Sequence, residues 1–107
     1  MPIPSHIKDN LSMPVIGSPL FVVSGPELVI AQYKAGIIGS FPALNARPQH
    51  VLEEWIIRIK TELAEYQKQN PDAKVAPFAV NQICHGSNDR LMEDMATCVK
   101  QEVPIII

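Results

Sequence analysis

Val103-Pro104-Ile105-Ile106-Ile107 is the stretch on which the fold reading turns. Three consecutive isoleucines after a helical segment read as a parallel strand buried on both faces. Working backward, Pro77-Phe78-Ala79-Val80-Asn81-Gln82-Ile83 reads as a third strand, Ile37-Ile38-Gly39-Ser40 as a second and Met13-Pro14-Val15-Ile16 as a first. A helical stretch separates each neighbouring pair. The chain is therefore expected to be α/β, with parallel strands joined by right-handed helical crossovers. Two architectures fit this order: a (βα)8 barrel cut after its fourth strand, or an open doubly wound sheet. No helix follows to cover the most apolar strand. Residues 1–107 are accordingly expected to be the N-terminal portion of one larger α/β domain.

The helices have their own signals. Ser24-Gly25-Pro26-Glu27 is a helix start: Ser24 or Gly25 can cap, Pro26 suits the first helical position, and Glu27 lies at the positive end of the dipole. Leu28, Ala31, Gln32 and Ala35 share one face, and Gly36 stops the helix. Pro48 opens the longest helix, to about Gln69. Its apolar residues Leu52, Trp55, Ile56, Ile59, Leu63 and Tyr66 form a stripe of helical period. Asn88 is a good cap for a third helix over residues 89–101, with Leu91, Met92, Met95 and Val99 expected to face inward. Residues 1–13, broken by Pro2, Pro4, Lys8, Asp9 and Asn10, read as a lead-in without pattern.

Composition narrows the partners. The 107 residues are 47% hydrophobic and 19% charged, with a net charge of −2. That is apolar enough for a core and too apolar for a disordered tail. The nine Lys and Arg are scattered, so no basic patch points to nucleic acid or an anionic membrane surface. No stretch approaches the roughly 20 apolar residues of a membrane span, and the N-terminus lacks a signal-peptide pattern. The expected compartment is the cytosol, where Cys84 and Cys98 are not expected to form a disulfide framework.

Ligands on such parallel sheets meet the C-terminal ends of the strands. The candidate patches are Gly17-Ser18-Pro19-Leu20, Gly39-Ser40-Phe41 through Asn45, and Asn81-Gln82-Ile83-Cys84-His85. Asn81 stands out, an amide inside an apolar strand that needs partners, because an unsatisfied buried amide costs about 1–3 kcal/mol. It reads either as a donor and acceptor for a planar heterocycle or polyol, or as an amide bonded to neighbouring strand ends. His85 reads as an acid or base, a substrate contact, or a surface histidine. The glycines form no G-x-G-x-x-G loop, no serine sits in a G-x-S-x-G elbow, and no CxxC or HxxxH spacing suggests a metal.

Leu11-Ser12-Met13-Pro14-Val15-Ile16-Gly17-Ser18-Pro19-Leu20 resembles the opening of the nitronate monooxygenases, formerly called 2-nitropropane dioxygenases. Ser24-Gly25-Pro26-Glu27-Leu28 and Ala35-Gly36-Ile37-Ile38-Gly39-Ser40 continue the likeness, and Phe78-Ala79-Val80-Asn81 resembles the family's Gly-Val-Asn strand. The helix Asp94 to Val99 with Val103-Pro104-Ile105-Ile106 is similar to its next helix and strand.

This resemblance implies the first half of a TIM-type (βα)8 barrel that holds FMN at its C-terminal face. It implies an FMN-dependent monooxygenase that oxidises alkyl nitronates with oxygen to a carbonyl compound and nitrite. Ser18, Pro19, Leu20 and Asn81 would then contact the flavin, with Gln82 and His85 on the substrate side of the same mouth. The family's catalytic histidine and phosphate loops come from strands beyond Ile107, so no catalytic residue is assigned. Leu20 replaces the usual Met, and Ile37 the second Gly of Ala-Gly-Gly. The loop Phe41 to Arg47 differs from the commoner family loop, as in a subgroup with another substrate. The related flavin-dependent enoyl-acyl-carrier-protein reductases share the opening and are the nearest alternative activity. Self-association, or pairing with the missing half, through the fourth strand's edge is the non-catalytic alternative.

Overall fold

The computed structural model describes residues 2–107; Met1, the first residue of the expected lead-in, lies outside them. Three short strands form one parallel sheet, β1 (Ser40–Pro42), β2 (Ala79–Asn81) and β3 (Ile105–Ile106), in the order β1-β2-β3. Ser40 pairs with Ala79, Phe41 with Val80 and Pro42 with Asn81; Ala79 and Val80 pair in turn with Ile105 and Ile106. The first expected strand contracts to a single parallel bridge between Ile16 and Ile38. Val15 O accepts from Ile38 N–H, and Gly17 N–H donates to Ile38 O. Pro14 carries no N–H, and Val15 N–H turns back to Met13 O, so the ladder does not extend. Spatial order therefore follows chain order across all four segments.

A one-turn helix, α1 (Ser5–Lys8), lies in the stretch read as patternless. It is followed by α2 (Pro26–Lys34), α3 (Val51–Gln69) and α4 (Leu91–Lys100), each within one crossover. α3 begins three residues after the expected Pro48. Leu52, Ile56, Ile59 and Leu63 are buried along it, with Trp55 and Tyr66 at the flanks. Burial of each such aliphatic side chain contributes about 1.5–3 kcal/mol. The same core takes Val29, Ile30 and Tyr33 from α2, Cys98 from α4, and Phe41 and Val80 from the sheet. All three long helices thus cover one face. The opposite face carries Ile38, Ala79 and Ile105, covered toward the strand starts by Leu11 and Ile7.

Two helix faces differ from expectation. α2 buries Pro26, Val29, Ile30 and Tyr33, not the Leu28, Ala31, Gln32 and Ala35 face. Its bulk lies on the former face, and Gly39 lets the strand approach Val29 closely: a Cβ there would stand 2.7 Å from Val29 O. α4 buries Asp94 and Cys98 and leaves Met92 and Val99 exposed at 79% and 71%. The polar face turns inward because Asp94 finds partners there. Gly36, at φ 83°, supplies the left-handed turn that ends α2. No helix among the described residues is long and apolar enough to cross a membrane.

Candidate site at the strand ends

The C-terminal ends of the strands gather Gly17, Pro42, Asn81 and Ile107 on one rim. Three loops leave it, 17–25, 43–50 and 82–90. Ser40 Oγ donates a hydrogen bond to Gly17 O, tying the first loop to β1.

The segment after Gly17 is shaped by two side chains. Ser24 Oγ, which the sequence offers as a helix cap, instead accepts from Leu20 N–H at 2.8 Å and donates to Ser18 O at 3.4 Å. Gly25 occupies the capping position of α2 without a side-chain bond. Asn45 reaches across from the turn after β1. Its Nδ2 donates to Leu20 O at 3.0 Å and Ser24 O at 2.8 Å, and its Oδ1 accepts from Val22 N–H at 3.0 Å. Val22 has φ 68°, a left-handed conformation that a β-branched residue avoids. Such strain costs about 1–3 kcal/mol and persists where the surroundings over-determine it. Leu20, Phe21, Val22 and Val23 are all exposed, forming an apolar shelf beside the rim. The Arg47 guanidinium sits 5.5 Å from the Phe21 ring centroid.

The 43–46 turn is itself anchored. Arg90 Nη1 donates to Ala46 O at 2.8 Å, and Nη2 to Ala43 O at 3.3 Å and Asp94 Oδ1 at 3.1 Å. Gln49 Nε2 also donates to Asp94 Oδ1, at 3.2 Å. Asp94 is fully buried, and its Oδ2 and Arg90 Nε take no protein partner.

Asn81 and Gln82 point to opposite faces, as strand alternation requires. Asn81 lies on the Ala79 side, away from the helices, and its Nδ2 makes one long bond to Ile107 O at 3.4 Å. That contact is the strand-end amide reading of Asn81. Gln82 is buried toward the helices, with Nε2 3.4 Å from Cys98 Sγ. Burial pushes the Cys98 thiol above its ordinary range; the Gln82 bond opposes this and the nearby Asp94 adds to it. Gln82 thus faces the helix layer and Asn81 the other side, so the two do not share a site.

His85 lies in the exposed loop beyond. Its Nδ1 accepts from Ser87 N–H at 3.1 Å and is 2.8 Å from Ser87 Oγ. The neutral ring therefore carries its proton on Nε2, the only nitrogen left to donate. Ser18, Pro19 and Leu20 sit on the first loop, separated from Asn81 by β1.

Two hollows flank the sheet. One of about 510 Å³, at the strand starts, is lined by Tyr33, Leu63, Val75, Phe78 and Ile105 among others. Its cation, Lys60, is already bonded to Gln101 O at 2.8 Å. The other, about 640 Å³ and at the strand ends, runs between Leu44, Arg47, Gln49, Ile83 and Asn88. The second is the better candidate, because loop polar groups converge at that end. Neither contains Ser18, Pro19, Leu20, Asn81, Gln82 or His85. No three of His, Cys, Asp and Glu gather as a metal site among the described residues.

Sequence reasoning missed Arg90, and it placed Asn45 at the end of a candidate patch without finding what it holds. The i,i+4 spacing of Arg90 and Asp94 was a visible signal, and an Asn in a turn commonly bonds backbone. Nothing local pointed Asn45 toward residues 20–24. Compared with models of protein families, with curated proteins and with solved structures, the chain matches none.

Proposed function

We propose that the chain is part of an FMN-dependent oxidoreductase of nitronate monooxygenase type, built as four strands of a (βα)8 barrel. The observation that carries the barrel reading is the sequential parallel order of the strand segments with every long helix on one face. A doubly wound sheet would carry helices on both faces and reverse its strand order. The function itself rests on the sequence resemblance.

The residues at the rim fit part of a flavin. The exposed shelf Leu20–Val23 offers apolar surface to a planar ring, and the Asn81 carboxamide has only one long bond to give up. Arg90 is committed to Ala43, Ala46 and Asp94, so it is not a phosphate clamp. In the proposed enzyme that clamp falls to later strands. The bound flavin would accept electrons from the carbon-acid anion and return them to oxygen. This chain's residues would bind and orient: the shelf excludes water from one ring face and Asn81 fixes the ring edge. Because a nitronate is already deprotonated, this half need supply no base for it.

Visible absorption of the purified protein tests the reading first. An oxidised-flavin spectrum, followed by nitrite release and oxygen uptake with an alkyl nitronate, supports it. A colourless protein that takes up no added FMN with the rest of the proposed barrel present overturns it. NAD(P)H oxidation without nitronate turnover would instead favour the enoyl reductase relatives.

A second reading is association through the sheet edges. Val15 and Ile16 on one edge and Ile106 and Ile107 on the other are exposed. Unpaired apolar edges recruit further strands. Sedimentation as a monomer across a concentration series counts against this reading.

A further inference from the structure

We propose that Asn45 is a positioning residue whose carboxamide holds Leu20–Ser24, with Val22 in its left-handed conformation, as a shelf preformed for a planar ligand at the strand ends. The ligand half of this inference rests on the flavin reading; the conformational half does not.

Packing cannot explain why Val22 stays strained, because its side chain is 78% exposed. The restraint comes from hydrogen bonds. Asn45 satisfies three backbone groups of that segment, at 2.8–3.0 Å, from more than twenty residues away in sequence. Its own backbone lies in the short 3₁₀ turn Ala43–Asn45, and Arg90, the residue that caps the start of α4, grips the carbonyls of Ala43 within that turn and of Ala46 just after it. The shelf is thereby fixed through the 43–46 turn to the helix layer. Strain held in this way, on an exposed apolar surface at the ligand end of a parallel sheet, fits preorganisation for binding.

Amide hydrogen exchange on the full chain, wild type against Asn45→Ala, tests the conformational half. The Val22 amide is expected to exchange about tenfold faster in the variant, in line with loss of its acceptor. Amides of β2 and α3 should be unchanged. Asn45→Asp should also loosen the shelf, since a carboxylate cannot donate to Leu20 O and Ser24 O. FMN affinity, read by fluorescence quenching, should weaken about tenfold in Asn45→Ala.

A Val22→Gly background supplies a readout that a purely structural role would not move. Glycine adopts the positive φ without penalty, so the effect of Asn45→Ala on FMN affinity should shrink there. Unchanged Val22 exchange in Asn45→Ala overturns the proposal. So does a looser shelf with undiminished FMN affinity, or loss of protection throughout β2 and α3. Failure of the wild type to bind FMN would refute the flavin reading alone, and the exchange data would still decide the role of Asn45.

Discussion

Asp94 Oδ1 lies 3.1 Å from Arg90 Nη2, one helical turn away, with the aspartate side chain wholly buried and the arginine side chain 18% exposed. The pair explains why α4 turns a charged face inward and leaves Met92 and Val99 outside. Removing one partner leaves the other charge buried and uncompensated, which generally costs about 3–5 kcal/mol. Asp94→Ala is therefore expected to destabilise by about 2–4 kcal/mol, the lower end reflecting the partial exposure of Arg90. Urea denaturation measures it. The double variant Arg90→Met/Asp94→Leu should lose less than the sum of the single changes.

Two carboxylates outside the core tie the helices together. Glu27 pairs with Arg58 at 2.8 Å, and Glu53 with Lys100 at 2.8 Å. The Arg58 hydrogen bond holds the Glu27 carboxyl below its ordinary range, and bonds from Lys100 and Gln101 do the same for Glu53. Their contribution is fully present above the ordinary carboxylate range and is lost as pH falls through the lowered values. Stability should decline on acidification, with a shallower decline in Glu27→Gln/Glu53→Gln. Both pairs are exposed, so added salt should reduce the difference.

The two cysteines should separate by reactivity. Cys84 is exposed, while Cys98 is buried with its thiol held above the ordinary range. One thiol should react rapidly with a disulfide reagent in the native protein and the second only on unfolding. Because the folded state retains the Cys98 proton longer, stability should fall as pH climbs past the ordinary thiol range. Cys98→Ala should remove that alkaline slope.

Gly39→Ala is expected to destabilise by about 1–3 kcal/mol, because the new Cβ meets backbone that cannot rotate away. Val29 O and Cα stand 2.7 and 2.9 Å from its position. Gly86→Ala meets nothing within 4 Å and should stay near wild type in thermal denaturation.

Met92→Lys and Val99→Lys should each change stability by under about 0.5 kcal/mol, the usual range for surface positions. Equilibrium unfolding checks this. A large loss at either would mean that α4 packs by its apolar face, as the sequence alone suggested.

The sequence by itself determined the α/β alternation, the parallel sheet and the buried stripe of α3. Leu52, Ile56, Ile59 and Leu63 recur at helical spacing with charged residues between them, so only one rotation of that helix buries them together. The first, third and fourth strand segments were legible in place and order, though each shortens once ladder bonds are required; the second, read over Ile37–Ser40, instead pairs at Ser40–Pro42, in residues read as the start of a loop. For Met13–Ile16 the loss of a donor at Pro14 leaves one bridge.

Only the tertiary structure decided the rotations of α2 and α4. Each carries apolar residues on more than one side, so its orientation follows contacts with other elements: Gly39 against Val29, and Arg90 and Gln49 around Asp94. It also decided that Asn81 and Gln82 look to opposite sides of the sheet, and that Asn45 fastens Val22. Those relationships join residues far apart in the chain. Local propensity and periodicity carry no term for such pairings, which arise when crossovers bring strand ends and their loops onto one rim.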